Sequence, residues 1–164
     1  MRLFSSHTRE ASFANSEDIA YPDCMNKGER TLNMKKLIPY LTTDHCKEAV
    51  SYYHAIFGGE IKNLQMSDGI PGFEQYPNKV LHAEIFINEQ LTLYLNDIFQ
   101  TPVTEGNSVI LGLEFNSEEE ITTIYTALAE EGTVEMELQE AFWGAIHAKV
   151  VDKFGFSWEL NWEK

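Results

Sequence analysis

From residue 37 onward, apolar residues recur in regular periods that predict a strand, a helix and three further strands. The helix is expected to begin at Asp44, whose carboxylate can cap it, and to end at Gly58 and Gly59. Pro39 places the first strand at an edge or in an irregular position. The predicted strands are 37–42, 60–66, 80–88 and 91–96.

The same order of elements repeats in the second half of the chain. Ser117 is expected to cap a helix whose first turn holds the glutamates at 118–120, and Gly132 is expected to end that helix. Carboxylates in a first turn meet the positive end of the helix dipole, which favours a structural role for all three glutamates. His82 and His147 fall at equivalent places in the two halves. The predicted strands of this half are 109–115, 134–138, 143–151 and 156–162.

The repeat is interpreted as two βαβββ modules, which makes the fold class α+β. A chain of 164 residues is long enough for one domain with a sizeable core. We therefore predict a single domain at 34–164, with modules at 34–98 and 107–164.

Residues 1–33 show neither of the periods typical of strands and helices. They are expected to be an N-terminal appendage that is poorly ordered or not native. Residues 27–29 could be encoded by a sequence typical of a bacterial ribosome-binding site, which suggests that Met34 is the natural start. The alternative is a genuine N-terminal arm.

Charge and cysteine content exclude several classes of function. Lys and Arg total 12 against 26 Asp and Glu, for a formal net charge of −14, which disfavours nucleic acid and anionic membranes as partners. Cys24 and Cys46 are too few for a disulfide framework and are interpreted as free thiols. No apolar run is long enough to span a membrane, and the N-terminus lacks the apolar core of a secretory signal. The expected location is the cytoplasm.

Two groups of motifs carry a resemblance to a known family. The helix entry at 43–44, followed by Phe57-Gly58-Gly59-Glu60, is similar to the opening of PhnB-like proteins. The runs at 139–145 (QEAFWGA) and 152–158 (DKFGFSW) are similar to the ending of the same subfamily. The chain therefore resembles, over residues 37–162, the PhnB-like branch of the glyoxalase/bleomycin-resistance (vicinal-oxygen-chelate) superfamily. The resemblance implies mixed sheets that curl around a cleft, with the helices outside.

Metal-dependent members of that superfamily carry a His or carboxylate on each of four strands. Matched residue by residue, these positions fall on Ile38, Tyr94, Ile110 and Glu159. An open catalytic site needs about three protein ligands, and only Glu159 is a good one, so no metal and no other cofactor is expected. A relocated divalent-metal site remains an alternative, built from inward-facing imidazole and carboxylate groups: His82, Glu84, Glu114 and His147.

Alternation along the strands predicts which side chains face the cleft. Glu159 is the candidate catalytic residue, as a general base, and its alternatives are a polar anchor for a ligand or a solvated residue. For His82 and His147 the alternative is a purely hydrogen-bonded role in a pocket wall, and for Trp143 it is core packing. The residues expected to bind a ligand are Tyr40, His82, Glu84, Tyr94, Glu114, Trp143 and His147.

The leading functional hypothesis is a protein that binds a small hydrophobic or aromatic molecule in the cleft, with no reaction assigned. The first alternative is a lyase, isomerase or dioxygenase-type enzyme that uses a relocated metal or Glu159 as base. The second is a non-catalytic homo-oligomeric module, and a homodimer is expected from the resemblance. PhnB-like domains also carry a methyltransferase label, but no glycine-rich nucleotide-binding turn supports that activity here.

Overall fold

The computed structural model describes residues 34–104 and 106–164. The appendage predicted at 1–33, which includes Cys24, lies outside the described residues. The described part begins at Met34, the expected natural start. The described elements are, in chain order, β1 (Tyr40–Thr43), α1 (Cys46–Phe57), β2 (Glu60–Met66), β3 (Val80–Phe86), β4 (Thr92–Asp97), β5 (Leu111–Glu114), α2 (Glu118–Glu130), β6 (Thr133–Glu140), β7 (Ile146–Val151) and β8 (Ser157–Trp162).

Each half of the domain forms a four-stranded mixed sheet with one helix packed on it. The strand orders are β1-β4-β3-β2 and β5-β8-β7-β6, which repeat one another. In each sheet the first strand pairs in parallel with the last, and the other pairs are antiparallel. The α+β prediction of two βαβββ modules is confirmed, and the two sheets do not close on one another.

The start of α1 differs from the sequence prediction. Its N-cap is His45, with no side-chain cap from there or from Asp44. The carboxylate of Asp97, at the end of β4, accepts instead from the Cys46 backbone N–H at 3.3 Å and from that of Val80 at 2.7 Å. Lys79 Nζ balances this buried charge at 3.1 Å. A carboxylate distant in sequence therefore satisfies a helix end that Asp44 was expected to satisfy.

The start of α2 agrees with the prediction. Ser117 Oγ accepts from the Glu120 backbone N–H at 3.2 Å, and Glu120 Oε2 accepts from the Asn116 backbone N–H at 3.1 Å. This reciprocal arrangement is a variant of the capping box. It gives Glu120 a structural role at the start of the helix.

One continuous core joins the two modules. Asp152, in the turn before β8, is buried and accepts from Tyr53 Oη at 2.6 Å and from Trp158 Nε1 at 2.7 Å. The same carboxylate accepts from the backbone N–H groups of Phe154 at 2.9 Å and Phe156 at 3.1 Å. Because Tyr53 belongs to α1, this carboxylate ties the first helix to the second module.

The strand predicted at 143–151 begins later, at Ile146. The preceding residues form a turn, in which the Ala141 N–H donates to the Ala145 carbonyl at 2.8 Å and the Gly144 N–H donates to the Ala141 carbonyl at 2.9 Å. Gly144 has φ 93°, which an extended strand does not allow. Trp143 therefore lies in a turn at the strand entrance. In the described part of the chain, no helix is long and apolar enough to cross a membrane.

Candidate functional site

Side chains that point away from the helices form what we call the open face of each sheet. On β3, Ala83 and Ile85 are fully buried toward the helix, whereas His82 and Glu84 are half-buried on the other side. This alternation agrees with the sequence prediction. The open face is where the predicted site residues meet, in two separate clusters.

The first cluster lies on β1, β3 and β4. Tyr40 Oη lies 2.8 Å from His82 Nδ1, and His82 Nε2 lies 3.1 Å from Glu84 Oε1. The ring of Tyr94 contacts both Tyr40 and His82 edge-on, with centroid distances of 5.6 and 4.9 Å. Asn63, on β2, donates to Glu84 Oε1 at 2.9 Å. The sheet thus brings together four of the predicted ligand-binding residues.

Hydrogen bonding fixes the direction of this chain. The bonds from Asn63 and then His82 lower the pKa of Glu84, so its carboxylate is ionised and only accepts. His82 Nε2 therefore carries a proton, and in the neutral ring Nδ1 accepts from Tyr40. Desolvation raises the pKa of Tyr40, which keeps its phenol protonated and able to donate. The result is a phenol–imidazole–carboxylate chain that ends at a half-exposed hydroxyl.

The second cluster lies on β7 and β8. Glu159, the candidate catalytic residue, lies 3.3 Å from His147 Nε2 and 4.0 Å from Lys149 Nζ, and its side chain is 39% exposed. His147 is buried, and the part-exposed Trp143 contacts its ring edge-on at a centroid distance of 5.3 Å. His147 Nδ1 has no hydrogen-bond partner among residues 34–104 and 106–164. A carboxylate held by an imidazole in this way can accept from a ligand or take up a proton.

Glu114, on β5, lies at the edge of the second cluster. Its Oε2 accepts from Asn161 Nδ2 at 2.8 Å. Alternation along β8 places Asn161 on the same face as Glu159, so sequence reasoning finds it. Sequence reasoning missed Asn63, which lies at a register shift with φ 49°, where alternation gives no guidance.

The residues at the inherited metal positions do not fit a divalent ion. Ile38 and Ile110 have no donor atom, Tyr94 packs its ring against Tyr40, and Glu159 is engaged by His147. Within the described ranges, no group of three or more His, Cys, Asp or Glu side chains could hold a metal ion. We therefore assign no chemical step to a metal.

Two cavities each touch the edge of one cluster. One of about 340 Å³ has Tyr40, Val109 and Phe154 in its wall, so Tyr40 borders it and also belongs to the first cluster. Another of about 430 Å³ lies between the modules and is lined by Phe57 and Ile124 among others, with Glu114 of the second cluster at its border. The open face is not enclosed by either cavity.

Comparisons with known proteins agree with this architecture. The model of the family described as 3-demethylubiquinone-9 3-methyltransferase matches residues 35–161. Protein YjdN from Escherichia coli (strain K12) is 30% identical over an alignment of 138 residues, which covers 76% of this chain and 93% of that protein. The family match takes in both modules of the described domain.

Solved structures give the same result. Protein PA1353 from Pseudomonas aeruginosa is 29% identical with a TM-score of 0.72, over 79% of this chain and 98% of that one. A putative 3-demethylubiquinone-9 3-methyltransferase, PhnB protein, from Bacillus cereus is 26% identical with a TM-score of 0.67, over 78% and 99%. A glyoxylase/bleomycin resistance protein/dioxygenase domain from Frankia sp. EAN1pec, at 12% identity and a TM-score of 0.60 over 80% and 93%, shares the fold alone. The chain thus belongs to the PhnB-like family described as 3-demethylubiquinone-9 3-methyltransferase and has the fold of the glyoxalase/bleomycin-resistance/dioxygenase superfamily.

Proposed function

We propose that this protein binds a small, partly aromatic molecule on the open face of its sheets. The observation that carries the proposal is the Tyr40–His82–Glu84 chain, which is held in one geometry beside the ring of Tyr94. Ligand sites typically combine aromatic walls with a few fixed polar groups. Here both are present on the same surface, and the hydroxyl at the end of the chain is accessible.

Order in the free protein supports binding. Asn63 fixes Glu84, Glu84 fixes the ring of His82, and His82 fixes the hydroxyl of Tyr40. A ligand that meets these groups loses less free energy to the ordering of side chains than one that meets flexible groups. Tyr40 is 51% exposed, so packing of the hydrophobic core does not account for a tyrosine at this position.

A thermal-shift screen of the full chain against small metabolites tests the proposal. A ligand present at 100 times its Kd stabilises the folded state by about 2.7 kcal/mol, which shifts the Tm by several degrees. Tyr40→Phe should weaken a hit about tenfold, as expected for the loss of one hydrogen bond. The matched control is Tyr125→Phe, because the Tyr125 hydroxyl also bonds another side chain, the carboxylate of Glu137, but lies on α2. Equal affinity of both variants for every hit, or no hit, would refute the proposal.

Glu159→Gln separates binding from catalysis in any reaction found for a hit. A general base would lose turnover and largely keep affinity, whereas an anchor would lose affinity. The pairing of Glu159 with His147 supports either role, so the alternative of a base-catalysed enzyme stays a proposal.

We also propose that the chain forms a homodimer, which the exposed apolar side chains of an edge strand support. Ile61 is 42% exposed and Leu64 is 51% exposed, both on β2 at the edge of the first sheet. Exposed edge strands with apolar residues pair readily with another chain. Light scattering should give twice the 18.8 kDa chain mass, and Leu64→Lys should return the protein to a monomer. A monomer at micromolar concentration would exclude the dimer.

A further inference from the structure

The two modules carry equivalent rows of side chains across their open faces. One row runs across β3, β4 and β1 in the first module and across β7, β8 and β5 in the second, at the same strand registers. In both modules this row begins with a histidine and continues with an asparagine that is hydrogen-bonded to the next side chain at 2.8 Å. The two rows are His82–Asn96–Thr42 and His147–Asn161–Glu114.

The neighbouring row differs between the modules in a way that opens a space. In the first module, register places Glu84, Tyr94 and Tyr40 side by side, and two of the three are aromatic. In the second module the same register positions hold Lys149, Glu159 and Gly112. The place that the ring of Tyr40 occupies in one module therefore has no side chain in the other.

Neither the backbone nor its neighbours require a glycine at 112. Its φ is not in the left-handed region, and a Cβ added there would meet nothing within 4 Å. A glycine in the interior of a strand weakens the strand and often marks a place where a ligand or another backbone approaches closely. Because nothing in the described chain fills the position of the missing side chain, the space is open to a molecule from outside the chain.

The side chains around Gly112 determine which hydrogen-bonding groups a molecule bound there must carry. Glu159, the register neighbour of Gly112, has a part-exposed carboxylate that His147 and Lys149 hold in place. A carboxylate accepts hydrogen bonds and donates none, so the ligand must bring a donor. The net charge of −14 disfavours a ligand that carries its own carboxylate. In the first module the equivalent place is filled by a phenol.

We propose that the space over Gly112 is a seat for a neutral phenol-bearing molecule, whose ring takes the place that Tyr40 fills in the first module and whose hydroxyl donates to Glu159. The seat specifies the ligand class of the binding function proposed above and rests on it. It lies in the second module, so its failure is distinguishable from failure of the Tyr40 cluster in the first.

The test uses p-cresol, the side-chain analogue of tyrosine, and toluene, which lacks the hydroxyl. In backbone NMR of the full chain, p-cresol should shift residues 110–114 and Glu159, and it should bind about tenfold more tightly than toluene, as expected for one hydrogen bond to a charged acceptor. Glu159→Gln should reduce that preference severalfold. Glu119→Gln, on the exposed start of α2, is the matched control and should leave the preference unchanged.

Gly112→Tyr should fill the seat and abolish the p-cresol shifts, whereas Gly112→Ala should retain them. If Gly112→Tyr does not fold, the Glu159→Gln comparison still decides the matter. Equal binding of p-cresol and toluene, or shifts confined to other residues, would overturn the proposal. If the metabolite screen yields hits that depend on Tyr40 while p-cresol leaves residues 110–114 unshifted, the general binding function stands and the seat is wrong.

Discussion

Replacing Asp152 with alanine should destabilise the domain strongly, because this buried carboxylate serves four donors. Tyr53 Oη and Trp158 Nε1 lie 2.6 and 2.7 Å from its Oδ2, and both donor residues are fully buried. Both donors lie where bulk water has almost no access. The substitution therefore leaves two buried donors unpaired and also loosens the turn before β8.

The magnitude follows from the cost of an unpaired buried donor, about 1–3 kcal/mol each. With two such donors and the two weakened turn bonds of Phe154 and Phe156, the loss is roughly 3–6 kcal/mol. A whole domain is commonly stable by only about 5–15 kcal/mol. At about 2–4 °C per kcal/mol for a chain of this size, the Tm should fall by on the order of 10 to 20 °C.

Urea unfolding followed by tryptophan fluorescence measures the loss directly. The matched control is Asp44→Ala, since no side-chain cap ties that residue to α1, and it should change the free energy of unfolding by less than about 0.5 kcal/mol. Combining Asp152→Ala with Tyr53→Phe removes one stranded donor, so the double variant should lose less than the sum of the single losses. Equal losses for Asp152→Ala and Asp44→Ala, or strict additivity in the double variant, would refute the reasoning.

Three further predictions follow from the described residues. Elemental analysis of protein purified without chelator should find no stoichiometric divalent metal, and one equivalent that is lost in Glu159 or His82 variants would contradict this. Burial, together with the nearby Asp97, raises the pKa of the Cys46 thiol from 9.0 to about 12. Alkylation of Cys46 in the native protein should therefore be slow at neutral pH and should accelerate on unfolding or as the pH approaches 12. Fast labelling of the Cys46 peptide in the native protein, measured by mass spectrometry, would contradict this. Gly58→Ala should lower the free energy of unfolding by about 1 kcal/mol, and Gly59→Ala should lower it by several kcal/mol more. Both glycines have positive φ, but only a Cβ at Gly59 would lie 2.3 Å from the Phe86 carbonyl oxygen. Equal unfolding midpoints of the two variants would exclude that clash.

Most elements of the fold could be predicted because periodicity is a local property. The predicted strand at 60–66 has the bounds of β2, and Ser117 caps α2 as expected. The cap of α1 could not be predicted in the same way. Asp97 lies far from Cys46 in sequence and reaches it only through the pairing of β1 with β4. Local sequence favoured Asp44 as the cap of α1, but the tertiary structure supplies the Asp97 carboxylate instead.

The candidate site was predictable to the extent that it depends on alternation. Alternation placed His82 and Glu84 on one face, and it did so for His147 and Glu159 as well. It could not show that Tyr40 bonds His82, because that contact spans two strand pairings whose register the sequence does not contain. The same limit hid the space over Gly112, which becomes visible only when the registers of the two modules are compared.

We expect ligands to bind on the open face rather than in the cavity between the modules. Backbone NMR of the full chain, titrated with the best hit of the metabolite screen, distinguishes the two places. We expect shifts centred on Tyr40, His82 and Tyr94, on Glu159 and its neighbours, or on both clusters. Shifts centred instead on Phe57, Leu113 and Ile124, which line the cavity of about 430 Å³ between the modules, would contradict it.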